Sequence, residues 1–352
     1  MLFSTFFLGL AALAQAELAF KGIDWSSLLV EENAGIKYKD TDGSVKLLET
    51  ILKNNGVNTV RQRFWVNPKD GNYNLDYNIK LAKRATDAGL NIYADFHYSD
   101  DWADPGHQTT PSAWKNYDID DLSWKVYNYT KNCMDAFQQN NIPVALASIG
   151  NEITAGLLWP LGKQSDKKGG FANIARLLHS ASAGIKDSTI LPKPQIMIHL
   201  DNGWKWDTQK WWYDGVLAAG TLSASDYDIQ GVSYYPFYNS AATLASLESS
   251  LKQMKSKYNK QVMVVETNWP ISCPNPKYAM PSDAKNIPFS AAGQTTWIQE
   301  VAKRVTSAGG NGLFYWEPMW VDNANLGSSC ANNLMVDNSG KALSSLSAFK
   351  SI

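Results

Sequence analysis

Apolar runs rich in β-branched and aromatic residues recur along the chain, and each ends at a polar or aromatic residue. In order they are LAFKGID (18–24), VNTVRQRFW (57–65), LNIYADFH (90–97), VALASIGNE (144–152), QIMIHLD (195–201), IQGVSYY (229–235), QVMVVET (261–267) and GLFYWE (312–317). Runs of this length and composition predict buried strands. Between them the apolar spacing lengthens to the three-and-four step of a helix. Tyr77, Leu81, Ala82, Ala85 and Ala88 form one stripe across 75–88, and Gly89 stands where a helix commonly ends in the left-handed conformation. Leu244, Leu247, Leu251, Met254 and Tyr258 repeat the pattern over 243–258, as do Trp297, Ile298, Val301, Val305 and Ala308 ahead of Gly309. Further helices are expected at about 118–140, 169–185 and 207–219.

Strands that alternate with helices, with no linker or shift of composition, predict an α/β chain folded as one (β/α)8 TIM barrel over 17–352. A doubly wound open sheet is the rival. It is disfavoured because no GxGxxG or GxxxxGK[ST] follows an early strand and no strand–Ser–helix elbow occurs. In a barrel the C-terminal strand ends share one rim, and unusual residues gather there: Asp24, Trp65, His97, Glu152, Asp201, Tyr234, Glu266 and Trp316.

Charge changes the picture little. Lys plus Arg (32) balance Asp plus Glu (33), and no arginine-rich tract suggests a nucleic-acid partner. The aromatics change it more: core and rim packing accounts for any one of the 14 Trp and 16 Tyr about as well as a ligand does, but the total favours a ligand with C–H faces to stack on rings. MLFSTFFLGLAALAQA (1–16) reads as a signal peptide cleaved near Glu17, so export is expected. A membrane anchor is not, because that run is short and no later one would span a bilayer. Cys273 and Cys330 lie in loop-like segments and make the plausible disulfide pair, whereas Cys133 falls within helical periodicity as a buried thiol. Asn128–Tyr129–Thr130 is a glycosylation sequon, usable if Asn128 faces solvent. The histidines are scattered and no HExxH exists, so neither a metal nor any cofactor is expected.

The candidate chemistry sits in two carboxylates. Glu152 ends the fourth strand and Glu266 the seventh, which face each other across a barrel mouth. A carboxyl group ending a strand is more often a cap or an ion-pair partner. Two aimed at one point, however, are what glycosidic hydrolysis needs, one as acid and one as nucleophile or base. Arg61 is placed to keep the nucleophile ionised and Asn151 to bond the hydroxyl beside the reacting carbon, provided the strand turns where Asn151 and Glu152 adjoin. Tyr234 is expected to donate to the nucleophile or to the sugar's ring oxygen. Trp316 would floor the reacting sugar, Glu317 bond its hydroxyls, and Trp102 and Trp269 flank the cleft. Trp65, His97, Tyr98 and Asp201 complete the rim as candidate substrate contacts.

The stretches TVRQRFWVNP, DFHYSDDWADPG, SIGNEITAGLLWPLG, IMIHLDNGWKWD, GVSYYPFY, MVVETNWPISCPNP, FYWEPMW and LGSSCANNLMVD, in this order, closely resemble the fungal arabinogalactan endo-β-1,4-galactanases of glycoside hydrolase family 53. The resemblance implies a retaining (β/α)8 hydrolase acting on the β-1,4-galactan of pectin side chains, with Glu152 as acid/base and Glu266 as nucleophile. It further implies the Cys273–Cys330 pairing and, from the short WVDNANLGSSC, no required calcium. Phe314, Tyr98 and Asp101 depart from the family pattern without touching the acids. An endo-mannanase or glucanase of the same clan and a non-catalytic wall-binding barrel are the alternatives, and a monomer is the expected state.

Overall fold

The computed structural model describes residues 17–165 and 170–352; the expected signal peptide lies outside them. Eight parallel strands close into a barrel in sequence order. They are β1 (Phe20–Asp24), β2 (Thr59–Phe64), β3 (Asn91–Phe96), β4 (Leu146–Ile149), β5 (Gln195–Leu200), β6 (Ile229–Ser233), β7 (Gln261–Glu266) and β8 (Gly312–Tyr315). Each lies inside a run expected from the sequence. The outer helices are α1 (Leu28–Asn33), α2 (Leu48–Asn54), α3 (Leu75–Ala88), α4 (Ile119–Gln139), α5 (Gly170–Asp187), α6 (Trp206–Ala218), α7 (Leu244–Tyr258) and α8 (Ala291–Ser307). The β1–β2 connection holds the two helices that the periodicity does not announce, both too short to carry a recognisable stripe. After β8 the ring is completed by a 3₁₀ segment, Ser344–Ser351, whose Ser345 hydroxyl donates to Gln294 of α8 at 2.6 Å.

Local chemistry sets the helix ends. Asn74, Asp118, Thr243 and Ser290 each accept a hydrogen bond from a backbone N–H of the first turn, satisfying donors the helix itself cannot. Gly89 closes α3 with φ 71°. One layer inside the barrel is apolar, with Tyr93, Leu146, Met197, Ile229, Met263, Val265 and Phe314 packed together and buried. Above it, toward the C-terminal strand ends, the inward positions turn polar. That change of layer makes the barrel's lower part a plug and its upper part a site.

Two backbone irregularities aim side chains at that rim. Between β6 and β7 the ladder pairs Val232 with Val264 and then Ser233 with Glu266, skipping Val265. Strict alternation from the inward Met263 would turn Glu266 away from the interior. The bulge lets Val265 and Glu266 both face inward. The other irregularity ends β4. Gly150 has φ 114° and Glu152 φ 49°, so the chain leaves strand geometry before the acid.

Candidate active site

A cleft of about 660 Å³ opens at the C-terminal rim, and Asn151, Glu152, Asp201, Tyr235, Glu266 and Trp316 are among its lining residues. Its electrostatics are built from below. Alternation along β2 points Arg61 inward, and burial of a guanidinium demands partners. Arg61 Nη1 reaches Asp24 at 3.0 Å, while Nη2 reaches Asp95 at 2.7 Å, Glu266 at 2.8 Å and the Asn151 side-chain oxygen at 2.7 Å. Burial works against the Arg61 charge, but Asp95 and Glu266 more than offset it and hold the group well above its ordinary value.

The two glutamates are therefore unequal. Burial pushes the Glu266 carboxyl upward, while Arg61 and the Tyr235 hydroxyl, which donates to Oε2 at 2.7 Å, pull it back. Glu152 has no such ion pair among the described residues. Burial first, then the charges of Glu266 and Asp201, drive it well above the usual carboxylate range, against weaker help to its anion from Ser233 and Arg61. Of the two, Glu152 therefore holds a proton more tightly, and Arg61 favours the ionised form of Glu266.

Supporting contacts fix the geometry. Asn151 Nδ2 donates to the Ala103 carbonyl at 2.7 Å, and Gln108 donates to the Asn151 carbonyl at 2.8 Å, pinning the turn that bears Glu152. His97 accepts at Nδ1 from Trp65 Nε1 and from the Ala103 N–H, both at 3.2 Å. Its proton is therefore on Nε2, facing Asp95 at 3.1 Å. Trp102 packs against Trp316 and Trp320 with centroids 6.1 Å apart in each case, forming an aromatic wall beside the acids.

The structure brings Asn151, Glu152, His97, Trp102, Asp201, Glu266 and Trp316 into this cleft and leaves other expected contacts out of it. Tyr234 points outward: its hydroxyl donates to the Ala242 carbonyl at 2.9 Å and its ring stacks on Trp297. The donor to Glu266 is Tyr235, one residue on. Trp269 does not flank the cleft, because it is fully buried against Trp297 and donates to the Pro288 carbonyl at 2.9 Å. Tyr98, at φ 51°, turns behind the barrel wall to bond Thr130 at 2.8 Å. Glu317, at φ 42°, is ion-paired to Arg63 and bonded to the Ser27 hydroxyl at 2.8 Å, so it is a buried partner of Arg63 and not a sugar contact. Trp65 packs behind Trp102 and bonds His97, and Arg61 lies beneath Glu266; both touch residues that line the cleft. Tyr238, Asn239, Trp204 and Asn323 line the cleft without having been singled out. Trp204 and Asn239 lie in loops, and Tyr238 and Asn323 end single 3₁₀ turns, where no period marks them.

Away from the cleft, Cys273 and Cys330 form a disulfide with an S–S distance of 2.12 Å, joining the loops after β7 and β8. Cys133 is a free buried thiol, pushed up to about 12 by burial. Asn128 is exposed on α4.

A closed barrel with an ion-paired carboxylate facing one that burial drives upward is the arrangement of a glycoside hydrolase, and comparison with known proteins agrees. Glycosyl hydrolase family 53 matches residues 20–349, and the chain belongs to that family. It is 63% identical over 95% of its length to all of an arabinogalactan endo-β-1,4-galactanase of Thermothelomyces thermophilus. A relative of the same description from Humicola insolens is 62% identical, with 95% of this chain and all of that one covered. A solved fungal β-1,4-galactanase superimposes with a TM-score of 0.93 at 61% identity, covering 95% of this chain and all of its own.

Proposed function

We propose that the protein is an arabinogalactan endo-β-1,4-galactanase that cleaves internal galactosidic bonds of pectic galactan with retention. The observation that carries the residue assignment is the unequal pairing of the cleft's glutamates, with Arg61 on Glu266 and no ion pair on Glu152. In this reading Glu266 attacks the anomeric carbon while Glu152 gives its proton to the departing glycosidic oxygen. A galactosyl–enzyme ester and a shortened chain result. Glu152, now a carboxylate, takes a proton from water as the water oxygen attacks the same carbon. The ester breaks, Glu266 is released as a carboxylate and Glu152 regains its proton. Arg61 and Tyr235 hold the nucleophile's charge, Trp316 floors the reacting sugar, and one free amide hydrogen of Asn151 is available to a hydroxyl beside it.

No helix among the described residues is long and apolar enough to cross a membrane. With the opening apolar run read as a leader, the enzyme works outside the cell, as a monomer. Glycosylation at Asn128 and the absence of any cofactor or metal requirement belong to the same reading. Galactan, mannan and carboxymethylcellulose separate the clan's activities. Galactan alone should release mixed oligomers early in digestion, whereas preference for either other polymer, or free galactose alone, overturns the assignment. A purely carbohydrate-binding barrel would release nothing.

A further inference from the structure

Apart from Asp104, which faces His107 at 2.9 Å, the carboxyl groups in and beneath the cleft fall into two sets. Asp24, Asp95 and Glu266 pair with Arg61, and Glu317 pairs with Arg63. Glu152 and Asp201 form no ion pair among the described residues. They lie together because β4 and β5 are adjacent in the sheet and both carboxyl groups follow the strand ends into the same cleft. Alternation through the inward Met197 and His199 carries Asp201 to that position.

The surroundings of each group bear out the division. Around Glu152 stand the Glu266 and Asp201 carboxyls, the Ser233 hydroxyl, the Tyr235 and Tyr238 phenols and, behind Glu266, Arg61. The Ser233 hydroxyl is itself hydrogen-bonded to His199 at 2.8 Å, and burial lowers that imidazole to about 3, so it supplies no positive charge. Burial raises Asp201 above its ordinary value, while the Thr154 hydroxyl, the Asn202 amide on Oδ2 and, as a weak opposing charge, Lys205 favour its anion. Asp201 Oδ1 is buried with no hydrogen bond closed to it. A carboxylate held this way by neutral dipoles keeps most of its field for its neighbour.

We propose that Asp201 is a positioning residue for the acid/base: its uncompensated negative charge keeps the transferable proton on Glu152 before bond cleavage and strengthens the Glu152 carboxylate as a base when water attacks. The inference rests on the reading of Glu152 as acid/base. No group is added to the reaction. The proton still passes from Glu152 to the leaving oxygen and returns from water, and Asp201 changes only how tightly Glu152 holds it. The consequence falls on the alkaline side of the activity profile, where Glu152 loses its proton.

Asp201→Asn is the isosteric test. Its alkaline limb of kcat/KM on galactan should move about one pH unit lower, because a like charge has been removed from beside the acid, while the acid limb set by Glu266 stays in place. Asp201→Glu should keep the limb, and Asp201→Ser should reproduce the shift with different packing. Carboxyl ¹³C NMR of the unliganded enzyme gives a readout free of turnover: the highest-titrating glutamate should fall by the same amount in both charge-removing variants. An unmoved limb together with an unmoved titration overturns the proposal. The underlying reading is tested separately with Glu152→Ala, azide and an activated aryl galactoside. Failure of azide rescue there removes Glu152 from its role and this inference with it. Rescue combined with an unmoved Asp201→Asn limb removes this inference alone.

Discussion

Arg61 and Arg63 stand two residues apart on β2, face the same interior and are equally buried, at 1% exposure each, yet they serve different ends. Arg61 is ringed by oxygen: three carboxylates and an amide carbonyl, one of those carboxylates being Glu266. Arg63 is ringed by carbon. Its guanidinium lies 4.1 Å from the Tyr73 ring centroid, 4.5 Å from Trp102, 5.2 Å from Trp320 and 5.7 Å from Trp65, with Glu317 and Ser27 as its polar anchors. The first arrangement directs its charge at Glu266 and the polar groups beneath the cleft. The second fastens the loops after β2, β3 and β8 into the aromatic wall of the cleft. Residue type and burial do not separate the two roles; the partners do.

The largest expected effect follows from disturbing the first ring. Arg61→Lys keeps a charge but cannot span four acceptors, so kcat on galactan should fall roughly 100- to 1,000-fold, as for loss of a preorganised charge-stabilising donor. Arg63→Met should act on stability instead. Glu317 would be left buried and unpaired at a cost of about 3–5 kcal/mol, seen as an earlier denaturant midpoint, with a much smaller loss of kcat than in Arg61→Lys. Similar kcat losses in both variants would erase the distinction.

A milder comparison uses the tyrosine doublet. Tyr235→Phe removes a hydrogen bond to a charged carboxylate and should lower kcat about 10- to 100-fold. Tyr234→Phe gives up only a bond to the Ala242 carbonyl, costing about 1 kcal/mol of stability with kcat unchanged. Reversed effects would restore the outward tyrosine to the site.

Acidity gives the subtlest expected change. Burial raises Glu317 to about 7 in the folded protein, above its ordinary value of 4.5, despite Arg63 beside it. A carboxyl whose folded value is raised contributes stability that is fully present below about 4.5 and is lost as pH rises through about 7. Asp226, which burial would raise but which its Ser223, His179 and Lys186 partners hold at about 2, works the other way: its contribution is present above 3.8 and lost as pH falls through about 2. Thermal unfolding should therefore occur at higher temperature near pH 5 than near pH 8, and Glu317→Gln should flatten that slope.

These contrasts also mark how far the chain could be read. Strands and long helices were legible because alternation and the 3.6 period are strong where one face is buried, as in α3 with its capping Asn74 and Gly89. Glu152 and Glu266 were legible as an opposed pair from strand order, but their aim was not. Counting by two along β6 from the inward Ile229 selects Tyr235 and rejects Tyr234, so that signal was available. The same count along β7 from Met263 would have rejected Glu266, because a bulge adds a residue that no pattern of apolar positions displays. Tyr98 and Glu317 left the site for a related reason: each adopts a left-handed backbone just past its strand. Trp269 reads as a cleft platform until α8 is seen packed over it.

The division of labour between the two glutamates is tested most directly by trapping the covalent intermediate. A 2-deoxy-2-fluoro-galactobiosyl fluoride slows breakdown of the glycosyl ester, and peptide mass spectrometry then locates the sugar. The label should appear on the peptide carrying Glu266, within MVVETNWP. A label on the peptide carrying Glu152, or steady turnover of the reagent with no ester formed, would contradict the account.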